Sequence, residues 1–576
     1  MGTHTDLLTL SRRTRVYHLG QLNQLIVYPI SGKSQALFEV DKIEKILILV
    51  LYKTVMNFFR TGGFMTKTLL IFLLISFFTL PLFAQDVDTA WVRRYNGPGN
   101  GSDGASAIAV DGSGNVYVTG GSYGSGTADD YATIKYYPDG DTAWVRRYNG
   151  PGDSSDYASD IAVDGSGNVY VTGGSYGSGT ADDYATIKYY ANGDTAWVRS
   201  YNGPANGGDG AYAIAVDDSA NVYVTGGSDG SGTSYDYATI KYYANGDTAW
   251  LRRYNGTGNL DDYALAIAVD GSGNVYVTGA SGGSGTGYCY ATIKYNPDGD
   301  TAWVRRYTGS GYVGAFASAI AVDGSGNVYV TGGRDGGIPT SLDYATIKYY
   351  PDGNTVWVRS YNGPGNLGDA AYAIAVDGSG NVCVTGESEG SGTAGDYATI
   401  KYYPDGTTAW VRRYNGTGNG DDEARAIAVD GSGNVYVTGY SYGSGTDEDY
   451  ATIKYYPNGD TAWVSRYNGP GNGYDRAWGV AVDGSGNVYV TGTSVGSGTE
   501  DDYATIKYVQ YLCGDANGDG VVDVGDVVYL INYLFKNGPA PSPLQTGDVN
   551  LDAVVDVGDI VYLINYLFKA GPPPCE

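Results

Sequence analysis

Four short runs of alternating or branched apolar residues, each closed by a turn of Gly, Asp and Asn, fill the stretch Thr89 to Asp141. Ala90–Tyr95 is built around Trp91, and Ala107–Asp111 alternates small with branched residues. Asn115-Val-Tyr-Val-Thr119 is β-branched and aromatic, and Tyr131-Ala-Thr-Ile-Lys-Tyr136 alternates with period two. Such runs predict strands, because branched and aromatic side chains pack well on a pleated, half-buried surface. Asp111-Gly-Ser-Gly-Asn115 predicts a tight hairpin whose glycines take positive φ, and Pro138-Asp-Gly140 predicts a second turn. The Asp, Ser and Asn of the hairpin also read as a short cation loop, but the run has no second carboxylate and a turn needs the same residues.

The pattern then repeats. Its tryptophan returns as Trp144, Trp197, Trp250, Trp303, Trp357, Trp410 and Trp463, at intervals of 53 residues with a single interval of 54. The third run begins again at Asn168, Asn221, Asn274, Asn327, Asn381, Asn434 and Asn487. A period close to 50 residues predicts a solenoid, a propeller or an array. Eight copies of a four-stranded meander, with no distinct polar capping unit at either end, predict an eight-bladed β-propeller in an all-β fold. The chain enters the repeats on a Trp strand and leaves on Tyr503–Tyr508. Blades ordered AIAVD, NVYVTG, YATIKY, AWVRRY therefore leave the eighth without its outer strand, which Ala90–Tyr95 is predicted to supply. Closure would also hide two sheet edges. The repeated tyrosines recur in step with the strands, so they read as packing between blades rather than as sugar-stacking platforms.

At these residues the chain resembles a bacterial β-propeller repeat family with a D-x-x-G-N-V-Y-V-T-G core, over roughly 88–508. The resemblance implies an extracellular propeller and no single activity.

Composition narrows the chemistry. Only 17% of the residues are charged, the formal net charge is −27, and Gly and Tyr number 90 and 57. That acidity argues against a nucleic-acid partner, which needs clustered Lys and Arg. The two histidines, His4 and His18, precede the segment expected to be removed. A mature chain without histidine has no Ser-His-Asp or Cys-His nucleophile and no His-ligated zinc. Carboxylate-pair chemistry stays open. Cys289 and Cys383 stand in different repeats in place of an Asp and a Tyr, and read as buried or semi-buried free thiols.

From Met65 the chain reads MTKTLLIFLLISFFTLPLFAQ: a positive Lys67, an apolar run Leu69–Phe78, then a break ending at Ala84. This predicts a secretory signal peptide over 65–84, hence a secreted or cell-surface protein with no membrane span after cleavage. Residues 1–64 read as an extension ahead of the true start at Met65, with the propeller at 85–511 and a further module at 512–576.

The near-identical repeats differ mainly after the third run and after the Trp strand. One position reads Tyr123, Tyr176, Asp229, Gly282, Arg334, Glu389, Tyr442 and Val495. In the proposed strand order both variable segments fall on one face of the ring, a candidate ligand face for a polysaccharide or a protein.

After Tyr511 the composition changes. Asp515, Asn517, Asp519, Asp523 and Asp526 fill positions 1, 3, 5, 9 and 12 of a calcium loop, with the Val521 carbonyl at position 7 and Gly520 at the turn. Calcium takes about six to eight oxygens, and this spacing wraps them around one ion. The arrangement returns 33 residues later as Asp548, Asn550, Asp552, Val554, Asp556 and Asp559, with Ala553 at the turn. Helices are predicted over Val527–Lys536 and Ile560–Lys569. Two loops with Asp at position 12, each followed by one helix, resemble a type I dockerin. The resemblance implies folding around two calcium ions and docking onto a cohesin domain, often in polysaccharide-degrading assemblies. The family's usual Ser-Thr contact pair at positions 10 and 11 is here Val524-Gly525 and Val557-Gly558. An apolar docking face is expected instead, in two near-identical halves that permit two orientations. Cys513 and Cys575 bracket the module, and an oxidising compartment predicts a disulfide between them.

Two functions stay open at this point. One is a non-enzymatic propeller serving as a binding or scaffold module tethered by its dockerin. The other is a glycoside-hydrolysing component of a polysaccharide-degrading, cellulosome-like complex. No repeat carries an isolated Asp/Glu pair set apart from the others, which favours the first.

Overall fold

A computed structural model describes residues 86–284, 287–309, 314–336, 342–518, 521–542, 544–552, 554–569, 571–572 and 574. The predicted signal peptide and the extension before it lie outside these residues.

The repeats form eight four-stranded antiparallel sheets. Blade 1 runs from its inner strand Asp103–Val110 through Val116–Tyr123 and Asp129–Tyr136 to an outer strand, Thr142–Tyr148. Blade 8 comprises Asp475–Val482, Val488–Val495 and Asp501–Tyr511, and its fourth strand is Asp86–Tyr95 from the other end of the repeats. The pairing runs from Asp86 opposite Tyr511 to Tyr95 opposite Tyr503. The predicted phase and closure are therefore what the protein has. The strands are longer than predicted. The inner strand starts at Asp103 rather than Ala107, and the next ends at Tyr123 rather than Thr119. Tyr123 and Tyr157, expected in loops, are strand residues. The strand ends are where the repeats vary, so periodicity fades there before the ladder does.

Each blade boundary buries one apolar cluster. Between blades 1 and 2, Tyr117, Tyr131 and Trp144 of the first pack against Ile161, Val169, Val171, Ile187 and Tyr189 of the second. The last boundary uses the same positions, with Trp91, Tyr489 and Tyr503 of blade 8 against Val116, Val118, Ile134 and Tyr136 of blade 1. A fully buried large apolar side chain contributes roughly 1.5–3 kcal/mol, so these boundaries carry much of the ring's stability. The tyrosine hydroxyls add direction. Tyr131 donates to the Ala185 carbonyl of the next blade at 3.3 Å, and Tyr503 donates to Ala132 at 3.1 Å, which returns the series to blade 1.

The hairpin aspartates are consumed by their turns. Asp111 accepts from Ser113 N, Asn115 N, Asn115 Nδ2 and the Tyr117 hydroxyl, at 2.8–3.0 Å. This network holds its carboxyl below the ordinary value even though burial alone would raise it, and the turn reading stands over the cation loop. In blade 6, where Cys383 replaces the tyrosine, Lys401 takes the vacated place on Asp377 as an ion pair at 3.2 Å. Cys289 and Cys383 are buried free thiols, as expected.

The boundary between blades 7 and 8 has its own substitutions. Each Trp elsewhere donates Nε1 to a backbone carbonyl of the following turn, as Trp91 does to Pro138 at 3.1 Å. No such turn follows the third strand of blade 8, and the Gln510 side-chain oxygen accepts the Trp463 proton at 3.3 Å. The arginine that reaches the turn glycine carbonyl, Arg93 to Gly140 at 2.6 Å, is correspondingly Ser465 on the Trp463 strand.

One inner-strand residue breaks the pattern toward the axis. Asp160 stands where the other repeats have Ala107, Ala213, Ala266, Ala319, Ala373, Ala426 and Gly479. It accepts from Ile161 N at 2.8 Å and from Ile214 N of the next blade at 2.9 Å, and burial pushes its carboxyl up to about 6. Because its folded value lies above that of the unfolded chain, it contributes stability below about pH 4 and loses it as pH rises through about 6. Asp160→Ala is expected to stabilise the chain by up to about 3 kcal/mol at pH 8 and by much less at pH 4. Unfolding midpoints of parent and variant at the two pH values check this; an equal gain at both would exclude it.

Candidate functional site: the axial mouth and the calcium loops

Antiparallel register places the start of each inner strand, the end of the second strand and the start of the third at one end of the sheet. In blade 1 these are Asp103 opposite Ser122 and Tyr123 opposite Asp129. The inner strands also share an irregularity. Between Ala105 and Ala107 the register skips Ser106, and the same bulge recurs in every blade. A bulge leaves its extra residue unpaired and re-aims its side chain. That residue is Ser106, Ser159, Tyr212, Leu265, Ser318, Tyr372, Arg425 and Trp478 in blades 1 to 8. The framework repeats, and the position it releases does not.

The variable positions meet in pairs across blade boundaries. The Tyr157 hydroxyl donates to Asp129, Tyr235 stacks on Tyr263 and Tyr288 on Phe316 with centroids 5.2 Å apart, and Arg476 pairs with Glu448. Arg425 is the most enclosed. Its guanidinium lies 4.5 Å from the Tyr372 ring centroid, 5.2 Å from Trp478 and 5.6 Å from Tyr440, and it pairs with Glu423. Its Nη2 donates to the Tyr440 hydroxyl at 3.2 Å, and Nε, shielded from solvent, has no partner among the described residues. Tyr372 donates to Glu387 at 3.2 Å. Burial, reinforced by the nearby Glu423 charge, pushes the Glu387 carboxyl up to about 7. A cavity of about 710 Å³ is lined here by inner-strand residues of blades 6, 7, 8, 1 and 2, a set that only the ring axis brings together.

The sequence reading missed this mouth. A signal was present: of nine tryptophans eight follow the repeat, and Trp478 is the ninth. The residues chosen instead have mainly local work. Tyr123 is 43% exposed, but its ring lies over the preceding turn, where a Cβ on Gly99 would approach it to 2.6 Å. Tyr176 covers Gly152 in the same way, and Tyr442 covers Gly418 and Gly420. Asp229 and Glu389 end their strands at the equivalent position. Arg334 does not. Ala315 pairs with Arg334 as Asp103 pairs with Ser122, so Arg334 matches Ser122 and Asp335 matches Tyr123. The one-residue insertion follows the strand, so it leaves this position unshifted. Arg334 bonds Asp343 at 3.2 Å. In blades 1, 3, 6, 7 and 8 that aspartate is held by an outer-strand arginine, as Arg147 holds Asp130 at 2.8 Å, whereas blade 2 has Ser200 and blade 5 has Ser360 there. Arg334 replaces the missing guanidinium from the neighbouring strand.

In the C-terminal module, helices α1 (Val524–Lys536) and α2 (Val557–Lys569) begin three residues earlier than predicted. Asp523 caps α1: its side chain accepts from Gly525 N, and Asp526 accepts from Asp523 N at 2.8 Å, a reciprocal capping box. Position 9 of each loop thus caps the helix that position 12 anchors. Asp526 also accepts from Asn517 N at 3.0 Å, and Asp559 accepts from Val549 N and Asp556 N at 2.9 and 2.8 Å. Both carboxylates are fully buried, and burial raises that of Asp559 above its ordinary value. Leu530, Val549, Ile560 and Leu563 form the core between the helices.

Calcium fits this donor set: carboxylate, amide and carbonyl oxygens on a loop wound about a buried Asp, with no soft ligand. Asp515, Asn517, Val521, Asp523 and Asp526 would hold one ion, and Asp548, Asn550, Asp552, Val554, Asp556 and Asp559 another; bound calcium supplies the positive charge that keeps the loop wound. Asp519, Gly520 and Ala553 lie outside the described residues, and among the described residues no three His, Cys, Asp or Glu side chains already converge on a point. Cys513 is disulfide-bonded; its predicted partner Cys575 lies outside the described residues.

The class is therefore an eight-bladed β-propeller carrying a small helical calcium-loop module. Residues 513–568 match the dockerin type I domain model, and residues 143–179 and 409–445 match the SBBP β-propeller repeat model. The protein is built of β-propeller repeats of this family and ends in a type I dockerin domain. Type I dockerins bind calcium, imply a cohesin-containing partner and occur in extracellular or cell-surface proteins. No curated protein matches the chain. Similar solved structures include the β-propeller domain of the Trilobed protease from Pyrococcus furiosus, with 10% identity, a TM-score of 0.35, and coverage of 61% of this chain and 92% of that one. Drosophila Plexin A in complex with Semaphorin 1b gives 8%, 0.36, 77% and 90%. Among the described residues no helix is long and apolar enough to cross a membrane.

Asp559→Ala removes the anchor of the second loop. Calcium affinity measured by calorimetric titration is expected to fall roughly tenfold or more at one site, with the far-ultraviolet signature of the propeller unchanged.

Proposed function

We propose that the chain is a secreted, non-enzymatic binding protein whose propeller presents a recognition surface and whose dockerin, loaded with two calcium ions, attaches it to a cohesin-bearing partner. The observation that carries the reading is the pair of twin apolar stripes on the dockerin helices. Val524, Val528 and Phe535 are exposed on α1, and their counterparts Val557, Val561 and Phe568 are exposed on α2, each 33 residues on. Gly525 and Gly558 follow the first valine of each stripe, where a Cβ would lie 2.8 Å from the capping Asp523 or Asp556 oxygen. The Val-Gly pairs thus serve an apolar cohesin contact instead of a hydroxyl-based one. Because the halves are equivalent, either one docks.

Retention of the full chain on a panel of immobilised cohesin domains is expected in calcium and lost with chelator. Val524→Asp or Val557→Asp alone should leave retention nearly intact, and the double variant should abolish it. Loss from either single variant would reject the two-orientation reading.

Glycoside hydrolysis is the second reading, favoured by one observation: Glu387, raised to about 7, stands near Glu423 at the axial mouth. Carboxyls with separated pKa values suit acid and base roles. Against it, Tyr372 occupies Glu387 and Arg425 occupies Glu423. Release of reducing ends from a polysaccharide panel, abolished by Glu387→Gln, would establish it; no release is expected.

A further inference from the structure

The cavity at the axial mouth has a floor almost without side chains. Blade 1 places Gly104, Ser106 and Gly121 there. A Cβ on Gly104 would lie 2.8 Å from Thr493 Oγ1, and one on Gly121 would lie 2.7 Å from the Tyr157 ring. On one side of this floor along the ring stands Tyr157 of blade 2, 52% exposed. On the other stand Trp478 of blade 8 and Arg425 of blade 7. Asp129 and Asp501 also line the cavity; Asp129 accepts from the Tyr157 hydroxyl, and Ser102 Oγ donates to Asp501 at 3.1 Å, each leaving a second carboxylate oxygen.

This mixture discriminates among ligands by charge. A cation would meet the fixed guanidinium of Arg425. An anion would meet Asp129 and Asp501. A neutral polyhydroxylated ring uses both, because its hydroxyls donate to carboxylates and accept from the guanidinium, while its C–H faces lie on aromatic rings. Arg425 is suited to the acceptor side: three aromatic rings and Glu423 fix its plane, so little side-chain freedom is lost when its remaining donors bind. The volume lies within the usual range for small-ligand sites, about 300–1,000 Å³.

We propose that the axial mouth over blade 1 binds a neutral oligosaccharide, with Trp478 and Tyr157 as stacking faces and Asp129, Asp501 and Arg425 as hydroxyl partners. This rests on the reading of the propeller as a binding module and is independent of the dockerin.

The test uses the full chain with calcium. Cellohexaose, xylohexaose and mannohexaose are titrated beside an acidic hexagalacturonate and a cationic chitosan hexamer, followed by calorimetry and tryptophan fluorescence. At least one neutral hexasaccharide is expected to bind, and Trp478→Ala to weaken it by roughly tenfold or more. Ser106→Trp should do the same by filling the floor, and the bulge of blade 8 already holds a tryptophan at this position, so the fold accommodates it. Unchanged melting midpoints in both variants separate site loss from unfolding. Binding of only the acidic or only the cationic oligomer, binding that survives both variants, or no binding would each overturn the proposal. Binding that survives both but falls in a Tyr123, Tyr176 and Tyr442 triple alanine variant would reject the mouth and keep the propeller as a binding module. Cohesin retention without any saccharide binding would reject the saccharide site and keep the tether.

Discussion

The ring depends on one hydrogen bond made eight times. A buried tyrosine hydroxyl on the third strand of each blade reaches a backbone alanine carbonyl on the third strand of the next, from Tyr131 to Ala185 through to Tyr503 and Ala132. Apolar packing alone would hold neighbouring sheets together without fixing how far one slides past another. A hydroxyl in an apolar boundary must find an acceptor, because leaving it without one costs about 1–3 kcal/mol. Each bond therefore sets the offset between two blades, and a closed ring requires all eight offsets to agree.

That agreement explains how substitutions are absorbed. Where a guanidinium is lost at Ser360, Arg334 supplies one from the adjacent strand; where a hydroxyl is lost at Cys383, Lys401 moves onto Asp377. Where blade 8 lacks the turn, Gln510 offers the oxygen that a turn carbonyl gives elsewhere. At these three places a polar partner is kept although its source changes; in blade 2, where Ser200 stands for the arginine, Asp183 keeps only the Thr180 hydroxyl among the described residues. Variation is greatest at the unpaired bulge residues and the strand ends beside them, which is where the cavity lies.

Much of the architecture was legible in the chain because its signals are local or periodic. The tryptophan interval, the phase set by the two ends and the loop spacing of Asp515 to Asp526 each need no knowledge of a partner strand. The bulge does need it. Nothing in Ala105-Ser-Ala107 distinguishes a bulge from a straight strand, so the re-aimed positions stayed hidden and attention fell on Tyr123 and its counterparts. Arg334 was misplaced by one position: it stands one residue nearer Asn327 than Tyr123 stands to Asn115, so Asp335 holds the matching place. Helix starts were missed by three residues because Asp523 reads first as a metal ligand and only in the fold also as a cap.

In the sheet, the last three residues of the strand that leads to the dockerin, Val509 to Tyr511, pair with Asp86–Asp88, beyond the end of the strand on their other side, while the Gln510 side chain reaches Trp463 and the Gly486 carbonyl. A pull on the dockerin therefore enters the propeller at the seam where the two ends of the ring are joined. The first bonds to bear it are the ladder bonds to the N-terminal strand and the Gln510 side-chain bonds to blades 7 and 8. Further in, the strand is held on both flanks, and load spreads into the sheet. The mechanical strength of the attachment thus draws on the N-terminal strand, which lies at the opposite end of the repeats in sequence.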